Sequence, residues 1–243
     1  MPHHGAAGGI GTRLRRLLKG VYPALRLSDT RKGRPILPPM RSSSLPTSRE
    51  PAAVDRAVAG MQRIIHLGGV SVERPWDEIL PANIVGIYNL FEAARKAGVE
   101  RVVFASSNHI LGFYPRHRRL GTAVIPRPDS RYGVSKVFGE ALGALYADKY
   151  GLRVLTIRIG NVNDKPIDVR RLSIWILPED LVQLIRIGLE HPRSALRGGL
   201  RRLRQCAGLV GQRDGLSPRA IGRPANPNAG APPCAGRPGQ AAA

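Results

Sequence analysis

The chain has 243 residues, 42% of them hydrophobic, which is enough for one sizeable α/β domain or two small ones. Its net charge of +21 comes mainly from the flanks, because residues 1–50 carry 10 basic and 2 acidic groups and residues 193–243 carry 9 and 1. The middle has no basic stripe interleaved with aromatic residues, which disfavours nucleic-acid binding. No apolar run could span a membrane and no secretory signal is recognisable, so we expect a cytoplasmic protein.

Helix and strand patterns alternate along most of the chain. Short apolar runs predict strands, and apolar residues recurring every three or four positions predict helices. In chain order we predict helix 12–19, a strand ending at Asp29, helix 52–59, strand 63–69, helix 76–97, strand 101–107, helix 132–150, strand 153–160 and helix 178–191. This alternation predicts an α/β fold with a Rossmann-like, doubly wound parallel sheet.

Two segments lack these patterns. Residues 34–50 are rich in Pro and Ser where another strand is due, and residues 193–243 are rich in Arg, Gly, Ala and Pro, so both compositions are typical of disorder. We therefore expect one Rossmann-like domain over residues 1–192, irregular at 34–50, followed by a basic tail. Cys206 and Cys234 lie in this tail without His or Cys at metal-ligand spacing, so we expect no disulfide and no metal site.

The first motif is the glycine-rich stretch Gly5-x-x-Gly8-x-x-Gly11. Where side chains are absent, backbone amides can approach a phosphate at the start of the following helix. Asp29 follows Gly11 by 18 residues and ends a strand, where a carboxylate would accept hydrogen bonds from the ribose hydroxyls of NAD. A chance loop in a glycine-rich chain and an ordinary turn aspartate are the alternatives.

The second motif is the pair Tyr132 and Lys136, which share one face of a predicted helix because they are four residues apart. A nearby cation lowers the pKa of a phenol, which would let Tyr132 act as a base near neutral pH. Ser107 ends a predicted strand 25 residues earlier, at the edge where open parallel sheets form their sites. An exposed, purely structural helix pair is the alternative.

Together with the glycine loop and Asp29, these three residues resemble the signature of the extended short-chain dehydrogenase/reductase superfamily, which includes the NAD-dependent epimerases and dehydratases. The resemblance covers most of residues 5–192 and implies NAD as the cofactor. The cofactor-binding positions that it implies are Gly5, Gly8, Gly9, Ile10, Gly11, Asp29, Leu67, Gly68, Gly69 and Lys136.

Within that superfamily, residues 66–95, 104–116 (FASSNHILGFYPR) and 127–140 (RPDSRYGVSKVFGE) closely resemble the uronate dehydrogenases. The resemblance implies oxidation of ring-form galacturonate or glucuronate at C1 to an aldarolactone. It makes Ser107, Tyr132 and Lys136 the catalytic residues, with Tyr132 as the base. The substrate-binding positions that it implies are Ser71, Ser107, Asn108, His109, Tyr132, Asn161 and Arg170. The expected partner is a small sugar acid, and a homo-oligomer is compatible with this interpretation.

Each substrate-binding assignment has an ordinary structural alternative. Ser71 could start a turn, Asn108 and His109 could cap a strand end, and Arg170, which would grip the sugar carboxylate, could be a surface arginine. Asn161 stands where the family usually has serine, although its amide can still donate a hydrogen bond to a sugar oxygen.

The resemblance also implies three features that the sequence does not show: a strand before the glycine loop, a third strand ending in Ala-Asp-Leu, and a C-terminal region that caps the substrate. Residues 41–49 can be encoded by codons that give FVVAADLA when they are read two nucleotides later. Residues 197–214 can be encoded by codons that give AVVYGVSDNARAWWDNA when they are read one nucleotide later. We therefore hypothesise that the flanks are frame-shifted or truncated, which the coding DNA would decide. The alternatives are another extended short-chain enzyme, such as a sugar-nucleotide epimerase or dehydratase, and a non-catalytic remnant.

Overall fold

The computed structural model describes residues 5–29, 42–44, 50–115, 117–118 and 120–191. The contacts divide the chain into residues 1–212 and 213–243, and every described residue lies in the first unit. The prediction of a basic tail over residues 193–243 therefore falls outside the described residues. Among the described residues, no helix is long and apolar enough to cross a membrane, and no cluster of three or more His, Cys, Asp or Glu could hold a metal ion.

The centre of the fold is a parallel sheet of three strands in the order β3–β4–β5. The strands are β3 (Arg63–His66), β4 (Arg101–Ser107) and β5 (Arg153–Ile159). Every residue of β4 pairs with one of β5, so that Ser107 lies opposite Ile159 where both strands end. The sequence predicted these three strands, and Ser107 lies at the carboxyl edge of the sheet as expected.

Helices cover both faces of this sheet. The described helices longer than one turn are α1 (Gly9–Leu17), α2 (Pro51–Val58), α4 (Gly86–Lys96), α5 (Arg131–Tyr150) and α7 (Pro178–Glu190). The core that contains Val103 also contains residues of α1 and α7, whereas the core that contains Val102 contains residues of α2, α4 and α5. Successive strand residues point to opposite faces, so the two cores confirm the doubly wound arrangement.

The helix predicted over residues 76–97 is instead three consecutive segments. It begins as α3 (Trp76–Ile79), widens into a π-helix (Leu80–Val85) and continues as α4. Pro81 has no amide hydrogen to donate to the preceding turn, and its carbonyl accepts a hydrogen bond from the amide of Gly86, five residues further on. The wider turn carries Asn83 into the interior, where only 4% of it is exposed.

Two short parallel strand pairs flank the central sheet. β1 (Leu27–Asp29) pairs with β2 (Ser42–Ser44), and β6 (Asn161–Val162) pairs with β7 (Trp175–Ile176). The strand at Ser42–Ser44 corrects the expectation that all of residues 34–50 are irregular. A run of serines carries no strand signal of its own, and its strand conformation comes from pairing with the edge of β1. A one-turn helix, α6 (Val169–Leu172), lies between β6 and β7.

Candidate active site

The glycine loop leads directly into α1. Gly5–Ala7 forms a 3₁₀ turn, and Gly8 precedes the helix in an extended conformation without any side-chain cap. The first-turn amides have no acceptor within a helix, so those of Gly9, Ile10 and Gly11 can donate to an outside group. This arrangement fits a phosphate, because the amides carry the positive end of the helix dipole.

Asp29 ends β1 and lies against the same loop. Its side chain is buried, and Oδ2 accepts a hydrogen bond from the amide of Ala7 at 2.7 Å. The carboxylate is therefore fixed beside the candidate phosphate site, at the position expected for a group that binds ribose hydroxyls.

A cavity of about 450 Å³ connects the glycine loop with the segment that follows β3. It is lined by five of the predicted cofactor-binding residues, Gly11, Asp29, Leu67, Gly68 and Gly69. At Gly69 the φ angle is 115°, and a Cβ there would lie 2.6 Å from Oδ1 of Asn83, so only glycine fits. The first-turn amides and the buried carboxylate fit the phosphate and the ribose of a dinucleotide.

Ser107 and Tyr132 meet at the end of β4. Both are buried, and the hydroxyl of Ser107 lies within reach of the phenol of Tyr132. Burial raises the pKa of Tyr132, and the hydrogen bond from Ser107 lowers it by less. Burial therefore opposes the lowered pKa that the sequence predicted for Tyr132, because the cost of burying a phenolate exceeds the stabilisation that Ser107 gives it.

Lys136 lies one turn further along α5 and is also buried. Its Nζ donates to the carbonyl oxygen of Ala105 at 2.9 Å and lies 5.6 Å from the centre of the Tyr132 ring. Burial lowers the pKa of Lys136 to about 8. Burial also lowers the pKa of His66 to about 3, with a smaller effect from the charge of Lys136. Lys136 is the cation that the sequence predicted near the phenol of Tyr132.

Asn108 and His109 lie in the 3₁₀ turn that follows β4. The Oγ atom of Ser107 lies 3.5 Å from Asn108 Oδ1 and accepts a hydrogen bond from the amide of His109 at 3.2 Å. The imidazole of His109 meets the ring of Tyr132 edge-on, with 5.6 Å between ring centres. The structure thus brings four predicted substrate-binding residues together at the carboxyl edge of the sheet.

The other predicted substrate-binding residues are not joined to this group by any described contact. Ser71 is exposed in the loop after Gly69. Asn161 begins β6, and its Oδ1 accepts a hydrogen bond from Nδ2 of Asn163 at 2.7 Å. The backbone of Arg170 belongs to α6, but its side chain lies outside what the structure describes.

Two residues that position the site were missed by sequence reasoning. Glu73 accepts hydrogen bonds from the amide of Tyr132 at 3.1 Å and from Nη1 of Arg131 at 3.2 Å. Asn83 donates to Oγ of Ser135 at 2.9 Å. The sequence did carry a signal for Asn83. It lies four residues from the apolar positions 79 and 87 on one predicted helix face, and a lone amide on an apolar face indicates a buried polar contact.

Comparisons with known proteins relate this chain to NAD-dependent enzymes. The sequence model of the NAD dependent epimerase/dehydratase family matches residues 4–163. The uronate dehydrogenase of Pseudomonas putida is 46% identical over 188 residues, which cover 77% of this chain and 70% of that protein. A solved glucuronic acid dehydrogenase from Chromohalobacter salexigens is 40% identical with a TM-score of 0.77, covering 86% of this chain and 81% of the other. A mutant uronate dehydrogenase from Agrobacterium tumefaciens, complexed with NAD, is 44% identical with a TM-score of 0.75, covering 77% and 71%.

Proposed function

Because the chain belongs to the NAD dependent epimerase/dehydratase family, we propose that it oxidises a hexuronate, galacturonate or glucuronate, at C1 to the aldarolactone. The observation that carries this proposal is the grouping of Ser107, Tyr132 and Lys136 at the end of β4. The similarity to uronate dehydrogenases supports the choice of substrate class. The proposal includes a cytoplasmic location and allows a homo-oligomer.

The cofactor of this reaction is NAD, which when bound supplies the acceptor for the two electrons that leave C1. The first-turn amides of α1 would hold its phosphates, and Asp29 would accept hydrogen bonds from its ribose hydroxyls. Asp29 also disfavours a 2′-phosphate by charge repulsion, which favours NAD over NADP. Gly68 and Gly69 line the same cavity.

The residues of the chain would then orient the sugar and take its proton. Ser107 donates to or accepts from the C1 hydroxyl, and the phenolate oxygen of Tyr132 takes the hydroxyl proton. The buried charge of Lys136 favours that phenolate and can reach the cofactor ribose. The remaining contacts to the sugar are assigned to Ser71, Asn108, His109, Asn161 and Arg170, with Arg170 pairing with the carboxylate.

The formation of NADH, followed by absorbance with galacturonate, glucuronate and UDP-sugars in turn, tests the proposal. Turnover of a uronate is expected, whereas turnover of a UDP-sugar alone would favour another extended short-chain enzyme. The Tyr132→Phe variant should lose turnover by at least about 100-fold, since it removes the base. Tyr88→Phe is the matched control, because the side chain of Tyr88 is half exposed on α4.

One feature favours the alternative of a non-catalytic remnant. β1 and β3 belong to separate sheets, and the cavity between the glycine loop and β3 is lined mainly by apolar side chains. A thermal melt with and without NAD decides between the two, because a ligand that binds only the folded state raises the melting temperature. A cooperative transition that NAD shifts upward supports the enzyme, and the absence of any shift supports the remnant.

A further inference from the structure

His109 forms a close pair with Asp129, a residue to which the sequence analysis assigned no role. Nδ1 of His109 lies 2.9 Å from Oδ1 and 3.1 Å from Oδ2 of Asp129. The same imidazole meets the ring of Tyr132 edge-on, with an interplanar angle of 70°. The side chain of His109 is 48% exposed, so it faces solvent as well as the candidate base.

Asp129 is itself held in place by the start of α5 and by the turn after β4. Ser130 Oγ donates to Asp129 Oδ1 at 3.0 Å, and the same hydroxyl caps α5 by accepting from the amide of Gly133. The amide of Asp129 donates to the carbonyl of His109 at 3.2 Å. Its carboxylate fills the space above Gly112, where a Cβ would overlap with it. The carboxylate therefore has one defined position relative to the imidazole.

This geometry selects one tautomer of the neutral imidazole. An ionised carboxylate accepts hydrogen bonds and donates none, so it favours a proton on Nδ1 of His109. Nε2 of the neutral ring then offers a lone pair and no hydrogen. A lone pair accepts a hydrogen bond from a hydroxyl and repels a carboxylate oxygen.

We infer that Asp129 is a positioning residue that fixes His109 with Nε2 as an acceptor for one hydroxyl of the sugar. The inference rests on the proposed function and deepens it, because it assigns His109 to a hydroxyl of the substrate and leaves the substrate carboxylate to another group. Asp129 acts through His109 and does not itself touch the substrate.

The Asp129→Asn variant of the full chain tests the inference. Asparagine keeps the shape above Gly112, but its amide can donate to Nδ1 and so allows the proton to move to Nε2. The ¹⁵N chemical shifts of His109 in the substrate-free wild type should report the Nδ1–H tautomer, and those of the variant a shift toward Nε2–H. The KM for the uronate should rise by about 10- to 100-fold while kcat changes by much less.

Asp148→Asn is the control, since it removes a carboxylate from the exposed face of α5, far along the chain from His109 and Asp129. It should change neither the His109 spectrum nor the KM. A series of monodeoxy uronates identifies the hydroxyl, because the analogue that lacks it should bind the wild type and Asp129→Asn equally well. If Asp129→Asn lowers the affinity for every analogue by the same factor, the assignment of His109 to a hydroxyl is overturned.

The tautomer measurement separates this inference from the proposed function, because it needs no substrate. A neutral wild-type imidazole that carries its proton on Nε2 overturns the role of Asp129 whatever the enzyme oxidises. A spectrum with Nδ1–H in a protein that oxidises no uronate supports the positioning of His109 and contradicts the proposed substrate. If Asp129→Asn gives no cooperative thermal transition, the wild-type tautomer decides alone.

Discussion

Asn83 and Val70 are joined by two hydrogen bonds in the interior of the protein. The amide of Val70 donates to Oδ1 of Asn83 at 2.7 Å, and Nδ2 of Asn83 donates to the carbonyl oxygen of Val70 at 2.9 Å. Nδ2 also donates to Ser135, whose hydroxyl donates to the carbonyl oxygen of Tyr132. One side chain on the π-helix thus holds the loop after β3 against the helix that carries the candidate base.

Replacing this amide with an apolar side chain should destabilise the fold. Asn83→Leu removes the side-chain amide that makes both hydrogen bonds, so the buried backbone amide and carbonyl of Val70 lose these bonds. We expect the free energy of unfolding to fall by about 2–4 kcal/mol, measured by urea denaturation. Gln183→Leu, at a half-buried amide of α7, is the control and should cost much less. Equal losses in the two variants would contradict the role of Asn83.

The sequence predicted β4 and β5 well because most of their residues are buried, whereas β3, predicted to run to residue 69, ends at His66 and has no fully buried residue. β4 was predicted with its observed bounds, and β5 ends one residue earlier than expected. Such strands read as continuous apolar runs, a signal that needs no knowledge of their partners. β2 carries no comparable signal, since the strand conformation of Ser42–Ser44 depends on pairing with β1. The proposed frame shifts in the flanks stay a prediction that the coding DNA must test.

The candidate site could be predicted only where a motif is local. Tyr132 and Lys136 are four residues apart on one helix, so spacing alone placed them together. Glu73 contacts Tyr132 across 59 residues of sequence, and Asp129 contacts His109 across 20. No periodicity encodes such contacts, because they depend on how the loops fold back over the sheet edge.

Lys136 should make the stability of the protein depend on pH above neutrality. Its folded-state pKa of about 8 lies below the ordinary 10.5, so the unfolded chain holds the proton over a range in which the folded chain has lost it. Where the unfolded state binds more protons, stability rises with pH, so this contribution grows from about pH 8 to about pH 10.5. Below about pH 8, Lys136 is protonated in both the folded and the unfolded state, and the full cost of burying its charge lowers the stability of the fold.

Lys136→Met should therefore abolish that rise and stabilise the protein at pH 7 by up to about 3 kcal/mol, although it removes a catalytic residue. Urea denaturation of the variant and the wild type at several pH values between 7 and about 10 measures the difference. Lys165→Met, at an exposed lysine, should leave the pH dependence of the wild type intact. A wild-type slope that persists in Lys136→Met would show that another group causes it.

Ser107 should influence, through Tyr132, the limb of the pH–rate profile that rises with pH. Its hydrogen bond lowers the pKa of the phenol, so Ser107→Ala should raise that pKa and reduce the phenolate fraction at any given pH. The limb of kcat/KM that rises with pH should move to higher pH, alongside a loss of about 10- to 100-fold in rate. Ser106→Ala is the control, because that hydroxyl donates to Glu140. An unshifted limb in Ser107→Ala would indicate that Tyr132 is not the titrating base.

Glu140 and Arg158 form an ion pair that is shielded from solvent, which makes a single substitution costly. Nη2 of Arg158 lies 2.8 Å from Oε2 of Glu140, and their side chains are 2% and 10% exposed. Glu140→Gln leaves the guanidinium charge buried without its counter-charge, so we expect unfolding free energy to fall by about 3–5 kcal/mol. Urea denaturation measures this loss. Glu190→Gln breaks the solvent-exposed pair with Arg186 and should cost less than about 1 kcal/mol.

A double variant separates the penalty of an unpaired charge from the value of the pair itself. Glu140→Gln combined with Arg158→Met removes both charges, so no buried charge is left without a partner. The pair gains its attraction only after both groups lose their hydration, and an apolar replacement of similar size is often no less stable. We therefore expect the double variant to recover most of the stability that Glu140→Gln loses. Additive losses in the double variant would instead mean that Arg158 stabilises the fold through contacts other than the charge of Glu140, such as its hydrogen bond to the carbonyl of Thr122.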